Sequence, residues 1–230
     1  MNSLNGKEIM PKLKLVFHIL ITIIGFISVV LHIVYSPAPL VSTTKFTIQS
    51  NLIVAITFLL SSLVILLRKK VTPFLEFLKN SSVIYMTVVI LTYHFILARG
   101  GDYDGVRIIT NFTLHYLIPL LVFINWIVFE SKRKYSFKFV FYWMIYPLFY
   151  TVFSVVRGMF DGFYPYFFLN PNGEIPVGVG SYMNVFLFMV AFSIVFMILG
   201  MLLIILNRVV LYVQNKGMST KDNFSKTNSL

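Results

Sequence analysis

Six stretches of this chain contain no Lys, Arg, Asp or Glu: Leu15–Tyr35, Phe46–Leu67, Ser81–Ala98, Ile108–Phe129, Phe139–Val156 and Tyr182–Leu206. A helix of about 20 apolar residues crosses about 30 Å of hydrocarbon, and these runs have that length. A water-soluble fold would have to hide all six behind charged surface. Charged residues are 12% of the 230, against about a quarter in a soluble domain. Lipid is the remaining solvent, and there a helix satisfies its backbone polar groups within itself. The expected fold is all-α, a polytopic six-helix transmembrane bundle. An N-terminal segment 1–14 precedes the membrane domain 15–207, and the basic tail 208–230 is expected to be disordered. The first run exceeds the roughly 7–15 residues of a signal-peptide core and reads as a span.

Basic residues orient the bundle. With the N-terminus inside, fifteen of the 19 Lys and Arg fall in inner segments, while Lys45, Arg99, Arg107 and Arg157 fall outside. Acids divide evenly, so the asymmetry is the positive-inside one, and both termini are expected in the cytoplasm. The net charge of +11 sits in short clusters between apolar runs, where anionic lipid headgroups neutralise it. A nucleic-acid binder would gather it on one folded surface. Membrane lipids are expected partners and nucleic acid is not. The longest outer loop, 157–181, carries Phe160, Phe163, Tyr164, Tyr166, Phe167 and Phe168. Aromatics at that density belong at headgroup level, so the loop is expected to lid the bundle.

The chain has no cysteine, which excludes disulfides, thiolate metal sites and a cysteine nucleophile. No histidine pair has the spacing of a zinc site, and Gly178-Val179-Gly180 lacks that of a phosphate loop. No metal or cofactor is expected. Polar side chains inside spans are costly and are functional candidates by default. All four histidines lie in spans, with His18 near the inner end and His32, His94 and His115 in the outer half. Thr47, Ser50 and Asn51 share one face of the second span, and Asn111, His115 and Asn125 one face of the fourth. Pro119 cannot donate to the carbonyl of His115, four residues earlier, and Pro147 withholds the same bond from Trp143. The ordinary roles are milder. Span Ser and Thr mostly bond back to their own i−4 carbonyl, and span His mostly joins two helices.

Several motifs carry a family resemblance. Phe46-Thr47-Ile48-Gln49-Ser50-Asn51-Leu52 opens the second span, and Leu114-His115-Tyr116 is followed by Pro119 and Asn125-Trp126. Tyr146-Pro147, Val156-Arg157-Gly158, Tyr164-Pro165-Tyr166, Phe168-Leu169-Asn170-Pro171 and Asn207-Arg208 complete the set. Together they resemble the bacterial six-span family called Pr-six-Pr, over roughly residues 12–210. More thinly, through one Thr and one His, they resemble the eukaryotic androgen-induced membrane threonine hydrolases. The resemblance implies a bacterial plasma membrane and hydrolysis of lipid or fatty-acid esters, with Thr47 as nucleophile and His115 as base. Where this chain has Asn125 and Asn207 the bacterial pattern usually carries an acid, so two candidate carboxylates are missing and no third triad member is assigned.

The chemistry is coherent in outline. A threonine hydroxyl needs an adjacent base, and Asn51, Asn111 or His94 are candidates to contact the substrate or its oxyanion. Counting 1.5 Å per residue from the inner span ends leaves Thr47 about 9 Å above His115 and puts His94 level with it. The alternative function is a non-catalytic six-span transporter or sensor binding a small amphiphile in the same cavity.

Overall fold

The computed structural model describes residues 2–98, 103–130, 132 and 135–227, with side chains from residue 9 to residue 213. Arg99, counted among the outer basic residues, lies outside the described residues. Helix α1 is Asn2–Val34, and the short α2 is Pro39–Thr43. Helix α3 is Phe46–Leu66 and α4 is Pro73–Thr92, which continues through a π-helical turn Tyr93–Leu97. The fourth span is α5, Val106–Phe112, a second π-turn Thr113–Leu117, and α6, Ile118–Val128. Helix α7 is Lys138–Asp161 and α8 is Tyr182–Thr227. Six of these segments are long and apolar enough to cross a membrane. The fold is an all-α six-helix bundle, and the chain is a multi-pass integral membrane protein.

Helix α1 packs on α3 and on the fourth span, while α4 runs through the middle against α3, α6 and α8. Ile21, Val54, Phe58, Met86, Leu114, Ile118, Val122, Trp143 and Ile204 fill the centre, nearly or wholly buried. The carbonyl that Pro147 leaves without its helical donor is accounted for. Trp143 O accepts from Tyr85 Oη of α4 at 3.2 Å, so the irregular turn is tolerated because a neighbouring helix supplies the bond.

Several helix ends differ from the charge-free reading, and α1 already begins at Asn2, thirteen residues before Leu15, so the segment 2–14 is helix continuous with the first span. Helix α4 begins at Pro73, eight residues before the expected span. Thr72 caps it by accepting from Leu75 N at 3.2 Å, Pro73 occupies the first turn and Glu76 lies in that turn, all favourable at a helix N-terminus. Helix α7 runs past Val156 to Asp161 on an Arg157–Asp161 ion pair of 2.9 Å and stops at Gly162, whose φ of +72° suits a left-handed cap. Helix α8 does not stop at Leu206: it continues to Thr227, through the tail expected to be disordered. A helix already nucleated in the span extends without a second nucleation cost, and residues 207–227 contain no proline.

The end expected to face the cytoplasm, the inner end on that expectation, is held by one carboxylate. Glu130, just beyond α6, ion-pairs with Lys14 at 3.1 Å and with Lys79. His18 Nε2 meets Asn125 Oδ1 at 2.8 Å and stands 3.8 Å from Glu130. Burial alone would push the Glu130 carboxyl up, but the ammoniums of Lys79 and Lys14 hold it down at about 2.

The outer end is covered by the 162–181 loop. Phe168 and Leu169 are buried, and Phe168 stacks on Tyr166 at 5.0 Å and meets Phe192 of α8 at 4.9 Å. Asn170 ties the loop to itself, donating from Nδ2 to Val177 O at 2.9 Å and accepting from Val179 N at 2.9 Å. Orientation is testable directly: a reporter fused after Lys216 is expected to read cytoplasmic and one inserted at Asn172 external. The reversed pair of readings would invert the bundle.

Candidate intramembrane active site

Helix α3 starts at Phe46 with no cap from its own side chains. Two tyrosines from elsewhere take that place. Phe46 N donates to Tyr150 Oη at 3.1 Å and Thr47 N to Tyr166 Oη at 3.4 Å. Tyr150 Oη in turn donates to Thr44 O at 2.9 Å. The first turn of α3 is thereby pinned between α7 and the outer loop, and Thr47 is fixed in it.

His115 comes to Thr47 from the fourth span. Its Nε2 lies 3.3 Å from Thr47 Oγ1, and its Nδ1 lies 2.9 Å from the backbone carbonyl of Asn111. A carbonyl oxygen only accepts, so the Nδ1–H donates to it and Nε2 is left with its lone pair toward the threonine. Thr47 Oγ1–H therefore donates to Nε2. The group that orients the imidazole is thus a backbone carbonyl and not a carboxylate.

Both π-turns serve this contact. Tyr93 from one lies flat on His115 from the other, with centroids 3.8 Å apart and planes at 22°. In the second turn Ile118 N reaches Thr113 O, five residues back, which frees the Leu114 carbonyl. Asn51 Nδ2 takes it up at 3.2 Å while also donating to Thr47 O at 2.8 Å. Single-turn π-bulges of this kind are found often at functional sites.

The sequence candidates separate on this geometry. Thr47 and His115 meet, and the depth mismatch of about 9 Å by residue count is closed. Asn51 is fully buried, and its amide hydrogens strap α3 to the fourth span, so it is a positioning residue without a hydrogen to spare for an oxyanion. Asn111 orients His115 through its carbonyl and donates to Tyr93 Oη at 2.5 Å through its side chain. His94 is exposed and meets Tyr116 Oη at 3.2 Å. It shares the depth of His115 but faces away from Thr47. Asn125 belongs to the inner cluster, and Asn207 donates to Leu203 O of its own helix at 2.9 Å. Asn125 and Asn207 are thus both engaged away from this pair.

The mild roles hold for most other polar groups. Thr22, Thr57, Ser62, Ser81, Ser82 and Thr113 each bond back to the i−4 carbonyl, and His32 bridges to Thr110 Oγ1 at 2.9 Å. Thr47 differs from that set by spending its hydroxyl on an imidazole.

Tyr93 and Tyr166 were not candidates in the sequence, and both frame the site. A polar cavity of about 290 Å³ is walled by Lys45, His32, Tyr103 and His115, and a narrower apolar cleft of about 60 Å³ by Phe46, Val88, Phe168, Phe192 and Phe196. Thr47, Tyr93, Leu97 and Tyr166 line both, so the threonine stands on the partition. Burial pushes the Tyr166 phenol up, which keeps it protonated and able to donate. Among the described residues no group of three or more His, Asp and Glu is placed to hold a metal ion. Comparison with protein-family models, curated proteins and solved structures returns no match to this chain.

Proposed function

We propose that this protein is an intramembrane hydrolase of lipid or fatty-acid esters. The observation that carries the reading is the Thr47–His115 contact, with the imidazole tautomer set by the Asn111 carbonyl, on the wall between a polar and an apolar space. Thr47 Oγ attacks the ester carbonyl as its proton passes to His115 Nε2. The new oxyanion takes a hydrogen bond from Tyr166 Oη, and the imidazolium then protonates the leaving alcohol. Water, deprotonated by the same nitrogen, releases the acid from acyl-Thr47. An acyl chain suits the apolar cleft and the rest of the ester suits the cavity. The thinner resemblance to the androgen-induced membrane threonine hydrolases, through one Thr and one His, is in keeping with the same assignment.

The test is covalent capture of the purified protein by a fluorophosphonate probe, followed by peptide mapping. Labelling at Thr47 is expected, with near-complete loss in Thr47→Ala and a loss of about 10²-fold or more in the rate for His115→Ala, the scale of a removed general base. A protein that binds amphiphiles yet is never labelled would be the transporter or sensor instead.

A further inference from the structure

The cavity beside Thr47 holds charge that ester cleavage leaves unused. Lys45 lines it, part-buried, and no described residue gives its ammonium a hydrogen bond or ion pair. Burial lowers the proton affinity of Lys45, and the nearby Arg107 lowers it further. The Arg107 guanidinium lies 5.0 Å from the centroid of the Tyr103 ring, and among the described residues its buried Nε has no hydrogen-bond partner. Among the described residues no Asp or Glu lines the cavity. Charges withdrawn from water are ordinarily paired, and none of the described residues on this wall supplies the counter-ion.

We propose that the cavity binds the phosphate of an anionic glycerolipid, with Lys45 as the direct contact and Arg107 reinforcing the field. A phosphate fits better than a carboxylate because its greater negative charge gains more from the Lys45 ammonium and the field of Arg107, and the Tyr103 phenol on the same wall adds a further donor. Lys45 precedes Thr47 by two residues at the start of α3. A phosphate held there leaves only the few bonds of a glycerol unit to reach an ester at the Thr47 hydroxyl, while the chain follows the apolar cleft. The placement of the ester rests on the hydrolase reading, whereas the headgroup site does not.

Binding is measured on the full chain in neutral-detergent micelles, by native mass spectrometry with oleoyl lysophosphatidate, monooleoylglycerol, oleate and inorganic phosphate. Lysophosphatidate is expected to bind about ten-fold or more tightly than monooleoylglycerol, the scale of one charge-assisted bond. Lys45→Gln is expected to erase that preference and Lys45→Arg to retain it. Equal binding of the two glycerolipids, or a preference that survives Lys45→Gln, overturns the proposal. Oleate binding as tightly as lysophosphatidate would make it a carboxylate site, and inorganic phosphate competing equally would make it a free-ion site; either result also overturns it. Should Lys45→Gln fail to fold, discrimination by the unaltered protein decides alone. Headgroup preference without probe capture at Thr47 would keep this site and discard the hydrolysis, and capture without preference would do the reverse.

Discussion

Glu130→Ala is expected to destabilise the protein by about 3–5 kcal/mol, the range for removing one partner of a buried ion pair. The size follows from what stays behind. Lys79 is 4% exposed, and its ammonium would remain in the bundle beside that of Lys14 with no carboxylate between them. Thermal unfolding in detergent measures the loss, and Lys79→Met combined with Glu130→Met is expected to recover part of it. The same carboxylate gives a pH signature. Its pKa in the fold, about 2, lies below the ordinary 4.5, so the folded state prefers the ionised form. The stabilisation is present in full above the ordinary value and is lost as pH falls from there toward about 2. Glu130→Gln is expected to flatten the melting temperature across that window. A variant as stable as the parent at neutral pH would show that the inner cluster holds nothing together.

Gly178→Ala is expected to release the outer loop. A β-carbon there would sit 1.8 Å from the carbonyl oxygen of Asn172 and 2.8 Å from that of Asn170. Both are backbone atoms, and the Asn170 carbonyl already accepts from Val179 N, so relieving the clash means moving the chain rather than turning a side chain. Overpacking a tight site costs about 1–3 kcal/mol and occasionally more, and a backbone clash belongs at the upper end. The expected readouts are rapid proteolysis between Phe163 and Ser181 and loss of probe capture at Thr47, because Tyr166 and Phe168 travel with the loop. Gly180→Ala is the control: its φ is +79° but nothing lies nearer than 3.9 Å, so about 1–2 kcal/mol of left-handed strain is all it should show. Equal behaviour of the two variants would mean that the close approach of Gly178 to residues 170 and 172 does not hold the loop.

The spans were legible because lipid excludes charge, and a charge-free run of about 20 residues has few other uses. That rule fails at the ends. Glu76 and Lys79 lie inside α4, where Thr72-Pro73 gave the truer start, and Arg157 with Asp161 lies inside α7, where the i,i+4 spacing and Gly162 marked the stop. At the site, depth was legible only coarsely, since a residue count sets Thr47 about 9 Å above the imidazole it touches, and facing was not legible at all. Tyr93 and His94 are neighbours at one depth, yet one stacks on His115 and the other is exposed, because successive helical residues point about 100° apart. The orienting group of His115 had no sequence signature at all, since every residue has a carbonyl. Tyr166 stood among six aromatics of the outer loop, and only the folded loop distinguishes the one that reaches Thr47.

The paired π-turns carry a consequence for insertions and deletions. Each accommodates one residue more than a regular helical turn would, and one residue is about 100° of rotation. In the fourth span the π-turn carries Thr113, Leu114 and His115, all three buried, and its extra residue sets the rotation at which His115 meets Thr47. Length, then, is a constraint on this segment separate from composition. Losing a single residue between Thr113 and Leu117 would heal the helix into regular geometry and rotate its outer part away from α3, with every remaining side chain conserved. The alphabet of the site could survive such a change intact while its reading frame did not.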